Sequence, residues 1–121
     1  MAIQLTIADD SMLSRKNVRK AIPVALDAHI TEAGNGAEAL QAVAAGKAEL
    51  LLLDLQMPVL DGFSVLAELK QQQANAVVIV ISADIQPQAV ARVLSLGAAG
   101  FLQKPLQPAK LEELLLEVGL L

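Results

Sequence analysis

The chain has 121 residues, 55% of them hydrophobic, a formal net charge of -4 and a sequence pI near 4.8. That length can bury one core and is too short for two ordinary domains, so one unit over residues 1–121 is expected. The acidic balance argues against an autonomous nucleic-acid binder, which needs a basic face, and Phe63 and Phe101 as sole aromatics supply no base-stacking platform.

In chain order, Leu5 to Asp9 reads as a strand and Ser11 to Ile22 as a helix, with Ser11 able to cap it and Pro23 beyond its end. A second strand is predicted from His29 to Ala33. The helix Ala37 to Ala45 follows, opened by Gly34, Asn35 and Gly36 and stopped by Gly46. Leu50 to Leu53 is the most apolar strand, so it should be central and covered on both faces. Ser64 to Gln73 is the third helix and Ala76 to Ser82 the fourth strand. Pro87 to Leu96 reads as a helix with proline in its first turn and Gly97 at its end. Gly100 to Gln103 is a short fifth strand, and Ala109 to Val118 the last helix. Five βα units in sequence predict an α/β fold with a doubly wound parallel sheet.

The chemistry gathers at one edge of that sheet. Asp9 with its neighbour Asp10, the lone Asp54, and Lys104 before Pro105 each follow a short apolar run, LTIA, LLLL and GFLQ. Strand C-termini share an edge in such sheets, and ligands bind in the crevice outside it. Carboxylates crowded there repel and raise one another's pKa unless a cation is present, so the cluster implies a ligand. Without Cys there is no disulfide frame or thiolate chemistry, and the lone His29 leaves no His-rich metal site. The start MAIQLTIADD lacks the basic stretch of a signal peptide, and apolar runs such as AVVIVI are too short to span a bilayer, so a cytoplasmic protein is expected.

Asp9 and Asp10, Asp54 inside LLLDLQMPVLDGF, Ser82 followed by Ala83, and LGAAGFLQKP ending in Lys104 and Pro105 together resemble the receiver domain of two-component response regulators. The likeness covers essentially the whole chain and is strongest toward stand-alone, chemotaxis-type receivers. It implies a flavodoxin-like (βα)5 fold with strand order 2-1-3-4-5. It also implies a switch in a His-to-Asp phosphorelay, not an enzyme beyond self-catalysed phosphoryl transfer and autodephosphorylation. Asp54 would be the phosphoacceptor, a carboxylate nucleophile. Asp9 and Asp10 would hold Mg²⁺ or Mn²⁺ with Asp54, the second acid of the pair binding directly, the first through water, and the Gln56 backbone carbonyl completing the set. Lys104 would neutralise the phosphoryl group, with Pro105 ending the strand beside it through a cis bond. Ser82 would donate to a phosphoryl oxygen, and Phe101, the switch aromatic, would turn inward behind it; ordinary core is the competing reading of Phe101. Gln56 and Asp84 would tune phosphoryl lifetime. Met57, Pro58, Asp61 and Gly62 read as a loop device, with Gly62 permitting the turn into the third helix.

Two competing readings stay beside this one. Gly34, Gly36 and Ala39 satisfy GxGxxG/A, and Asp54 lies 20 residues beyond Gly34, the fingerprint of a dinucleotide-binding Rossmann-like fragment of an oxidoreductase. A receiver-like scaffold that takes no phosphate need not keep acids, hydroxyl and lysine together, as this chain does. A dehalogenase-type phosphatase wants an acid two residues past its nucleophile, where Gln56 stands.

The expected partners are a histidine kinase or phosphotransfer protein as donor and an output protein or domain that reads the fourth helix, fifth strand and last helix; neither nucleic acid nor membrane is expected. Leu111, Leu114, Leu115 and Val118 form the helical stripe that should face the sheet. Leu116, Leu120 and Leu121 lie off it, which suggests self-association through the last helix or a chain continuing into an output domain.

Overall fold

Strands and helices alternate without interruption in the computed structural model, which describes residues 2–83 and 86–121. The strands are β1 (Ile3–Ala8), β2 (Ala28–Ala33), β3 (Leu50–Leu53), β4 (Val77–Ser82) and β5 (Gly100–Gln103). The helices between and after them are α1 (Met12–Ala21), α2 (Gly36–Ala44), α3 (Gly62–Gln71), α4 (Pro87–Ser95) and α5 (Pro108–Glu117). All pairings are parallel and the order is β2-β1-β3-β4-β5, as the resemblance implied.

Period-two alternation divides the side chains of each strand between two apolar layers. Leu50 and Leu52 of β3 join Leu5, Ile7, Ile79 and Ile81 in the layer completed by Val18 of α1 and Leu111 and Leu115 of α5. Leu51 and Leu53 enter the opposite layer, under Val65, Leu66 and Leu69 of α3 and Val93 of α4. All four leucines of β3 are at most 1% exposed, because this strand lies mid-sheet with helices on both faces. Burying one such side chain contributes about 1.5–3 kcal/mol, so β3 anchors both layers at once.

Local signals start the helices. Ser11 caps α1 by accepting from the Ser14 N–H, and Asn35 caps α2 through the Glu38 N–H, while the Glu38 carboxylate reaches back to the Gly34 N–H at 2.7 Å. Asp61, expected only as part of a loop, is the cap of α3, accepting from the Ser64 N–H at 2.8 Å. Pro87 and Pro108 stand in the first turns of α4 and α5, neither of which has a side-chain cap.

Two glycines, Gly36 and Gly62, are required by close approach. A Cβ on Gly36 would lie 2.0 Å from the Leu60 carbonyl oxygen, so α2 packs directly on the loop after β3. The space a dinucleotide fingerprint would leave for a pyrophosphate is filled by backbone, and β1 separates β2, which the motif follows, from β3, which Asp54 follows, so the two are not neighbours in the sheet. Gly62 has no left-handed backbone, contrary to the expected turn role; instead a Cβ there would meet the Asp54 carbonyl oxygen at 2.5 Å. In the intervening loop the Leu60 N–H donates to the Pro58 carbonyl at 2.7 Å across Val59, whose φ of 68° is costly for a β-branched residue.

The C-terminal leucines differ from expectation. Gly119, at φ 82°, turns the chain after α5, and the N–H groups of Leu120 and Leu121 donate to the Leu115 carbonyl. Both side chains then pack against the α1/α5 layer, leaving Leu116, 57% exposed, as the one off-stripe leucine facing outward. A helical wheel stops at the helix end and misses this return.

Candidate functional site

Asp9, Asp54 and Lys104 each lie one residue past a strand rather than on its last position, yet each continues the ladder. Asp9 N–H donates to Ala33 O at 3.0 Å, Asp54 N–H to Ala8 O at 2.9 Å, and Lys104 N–H to Ser82 O at 2.9 Å. Backbone hydrogen bonds thus fix all three at the C-terminal edge. Ala8 pairs with Leu53, so register alone sets the two acids side by side.

One carboxylate oxygen from each of Asp9, Asp10 and Asp54 can be chosen so that all lie within 4.8 Å of one another. Asp9 and Asp54 are buried while Asp10 is exposed, so the trio opens to solvent on the Asp10 side. The Lys104 ammonium bridges the buried pair, 2.8 Å from Asp9 Oδ2 and 3.4 Å from Asp54 Oδ2. Its Pro105 bond is cis.

The electrostatics follow from three acids facing one amine. Burial pushes the Asp54 carboxyl above the ordinary aspartate range; the Lys104 charge opposes this, Asp9 adds to it, and the Gln56 backbone N–H opposes it again. Burial works against the Lys104 charge, but the hydrogen bond to Asp9 and the charges of Asp54 and Asp9 outweigh it, holding the ammonium above its usual range. Hard oxygen donors, without His or Cys, suit a small divalent cation such as Mg²⁺, and the excess negative charge gives such a cation a reason to bind.

The other expected residues distribute as follows. Ser82, the last residue of β4, is 1% exposed on the same edge. Phe101 on β5 pairs with Val80 and is partly buried against the α2/α3/α4 layer, and it borders a pocket together with Gln107 and Lys110. Gln56 is exposed beside Asp54. Asp84 lies outside the described residues.

Sequence reasoning missed the supports of Asp9. Its Oδ1 accepts the Ser11 N–H at 2.9 Å, its Oδ2 accepts the Ser14 hydroxyl at 2.5 Å, and its carbonyl accepts Arg15 Nη1 at 2.7 Å. Arg15 Nε also pairs with Glu32 at 2.8 Å, and Arg19 holds the second Glu32 oxygen at 2.9 Å. For Ser14 and Arg15, a place in the first turn of a helix after an acid pair was the available signal. A groove beside the site runs between α1 and the segment after β5, bounded by Ser14, Asn17, Lys20, Lys104 and Leu106.

The response regulator receiver domain model matches residues 5–116. The probable transcriptional regulatory protein NarL of Mycobacterium tuberculosis is 35% identical over 103 residues, covering 84% of this chain and 48% of NarL. The chain thus spans about half of that relative's length. The chemotaxis protein CheY of Bacillus subtilis is 32% identical over 113 residues, covering 93% of this chain and 94% of CheY. Among solved structures, the signal receiver domain of M. tuberculosis NarL superposes with a TM-score of 0.87 at 31% identity, over 97% of this chain and 95% of that one. A CheX-CheY-BeF3-Mg complex from Borrelia burgdorferi gives 0.85 at 30% identity, over 95% and 87%. With its strand order and acid edge, the chain belongs to the response regulator receiver domain family, the phosphorylation-dependent switches of two-component signalling.

Proposed function

We propose that Asp54 is the phosphoacceptor of this receiver. A poorly hydrated carboxylate oxygen at the mouth of the acid edge attacks the donor's phosphorus; the new O–P bond forms as the donor's bond breaks and its electron pair leaves with the donor. Lys104, already seated between Asp9 and Asp54, moves to the phosphoryl oxygens and offsets their charge. Ser82, on the same edge, donates its hydroxyl to one of them. Receiver domains bind Mg²⁺ at an acidic pocket, and here Asp10, Asp54 and the Gln56 carbonyl would hold it, with Asp9 behind them. When bound, the ion supplies positive charge to the acids and the phosphoryl group. Hydrolysis of the aspartyl phosphate resets the chain, with Gln56 and Asp84 tuning its lifetime.

The carrying observation is the acid trio within 4.8 Å, bridged at its buried pair by one ammonium. Receiver domains take phosphoryl groups from histidine kinases, and the groove beside Lys104 is the open approach for such a donor. Rotation of Phe101 from its half-open seat would pass the signal to the α4–β5–α5 face, read by an output protein or domain. Self-association through α5 rests on Leu116 alone once Leu120 and Leu121 are counted in the core. Sedimentation with and without beryllofluoride tests it, a monomer in both states ruling it out. No helix among the described residues is long and apolar enough to cross a membrane, which is consistent with action in the cytoplasm.

Labelling by acetyl phosphate and Mg²⁺ tests the assignment. Wild type should be labelled and Asp54→Asn not; label persisting in that variant on another residue would remove Asp54 from the role.

A further inference from the structure

Asp9 is the most enclosed acid of the site, its side chain 3% exposed, and its two oxygens are unequally engaged. Oδ1 accepts one backbone N–H, from Ser11. Oδ2 accepts two donors, the Ser14 hydroxyl at 2.5 Å and the Lys104 ammonium at 2.8 Å. A carboxylate oxygen has room for about two hydrogen bonds, so Oδ2 is saturated by protein groups alone. Ser14 belongs to the first turn of α1 and also accepts no role as cap, which Ser11 fills. Its hydroxyl aims the positive end of a dipole at an acid that the family site needs for a cation.

We propose that Ser14 is a positioning residue that lowers the cation affinity of this receiver by neutralising part of Asp9. This inference rests on the assignment of the acid trio to Mg²⁺. The hydroxyl proton takes a lone pair of Oδ2 and reduces the negative potential felt by a cation at the trio. Asp9 does not depend on Ser14 for its position, because the Ser11 N–H holds Oδ1, Arg15 holds the Asp9 carbonyl, and the Asp9 N–H is bound to Ala33 O. Removing the hydroxyl therefore leaves the acid in place and more negative. It also leaves Oδ2 with Lys104 as its single side-chain partner, freeing one acceptor position for a metal-bound water.

The test compares Mg²⁺ affinity of unphosphorylated wild type, Ser14→Ala, Ser14→Val and Ser14→Thr, read from the Mg²⁺ concentration dependence of the thermal unfolding midpoint. Val and Thr have the same shape, so their difference isolates the hydroxyl, and each variant's own metal-free midpoint removes any change in fold stability. Ser14→Ala and Ser14→Val should bind Mg²⁺ about threefold to tenfold more tightly, less than the full worth of one hydrogen bond to a charged group because Lys104 still engages Oδ2, and Ser14→Thr should match wild type. Unchanged or weaker binding in both hydroxyl-free variants overturns the proposal, as does a Thr variant that behaves like Val. The two readings fail differently: a wild type whose midpoint ignores Mg²⁺ sinks the metal assignment and this inference together, whereas a responsive wild type with unresponsive substitutions sinks this one alone.

Discussion

Two charged clusters lie near the C-terminal edge of the sheet, linked by Arg15, and they solve opposite problems. Around Glu32 at the end of β2, two guanidiniums face one carboxylate in a solvent-accessible setting. Hydrogen bonds from Arg19 and then Arg15 hold the Glu32 carboxyl below the ordinary glutamate range, although burial pulls slightly the other way. Around Asp54 three carboxylates face one ammonium, burial dominates, and the carboxyl is pushed up. The first cluster is satisfied as it stands and serves as scaffold; the second is short of positive charge, and that shortage is what a divalent cation and a phosphoryl group would exploit. Arg15 joins the two, its Nε on Glu32 and its Nη1 on the Asp9 carbonyl.

The largest way to break the contrast is chemical: Asp54→Asn should abolish acetyl phosphate labelling while Glu32→Gln retains it, as gel autoradiography of both variants would establish. Next comes supplying the missing charge. Mg²⁺ at about 100 times its dissociation constant should raise unfolding free energy by about 2.7 kcal/mol, and Asp10→Asn should remove most of that gain, measured by urea titration.

A smaller effect concerns the acid itself. Because the folded state raises the Asp54 pKa, the stability linked to its proton is present below the ordinary carboxylate range and lost as pH rises through the folded value. Metal-free Asp54→Asn should therefore be more stable than wild type at pH 7, with the gap closing below about pH 4. A variant less stable at pH 7 would mean that Lys104 compensates Asp54 after all.

Glu32 should show the reverse sign and the least effect. Its lowered pKa contributes stability above the ordinary range that disappears as pH falls through the folded value. Glu32→Gln should cost about 0.2–1 kcal/mol at pH 7, since the pairs are exposed, with the loss fading in acid and in high salt. A cost of several kcal/mol in urea titration would show that the cluster orders the site as well as the scaffold.

Legibility tracked how local each signal was. The leucine run of β3, the Ser11 cap and the acids following apolar runs could be read because each depends on a few neighbouring residues. Gly36 and Gly62 were visible as glycines, but their reasons, the Leu60 and Asp54 carbonyls, come from elsewhere in the chain. Leu120 and Leu121 escaped the helical pattern because Gly119 folds them back after it ends. Ser14 resembled any first-turn serine until β1 and α1 met.

The sequence by itself determined the alternation of strands and helices, the central place of Leu50 to Leu53, and, through the order of Asp9, Asp10, Asp54, Ser82 and Lys104, the family to which the chain belongs. These rest on periodicity, local capping and motif spacing, which are properties of the chain in one dimension. Only the tertiary structure decided which Asp9 oxygen meets Ser14 and Lys104, which acid is buried, and in which direction each carboxyl is shifted. Hydrogen-bond geometry and desolvation depend on what lies within a few ångströms, and here that includes residues 95 positions apart.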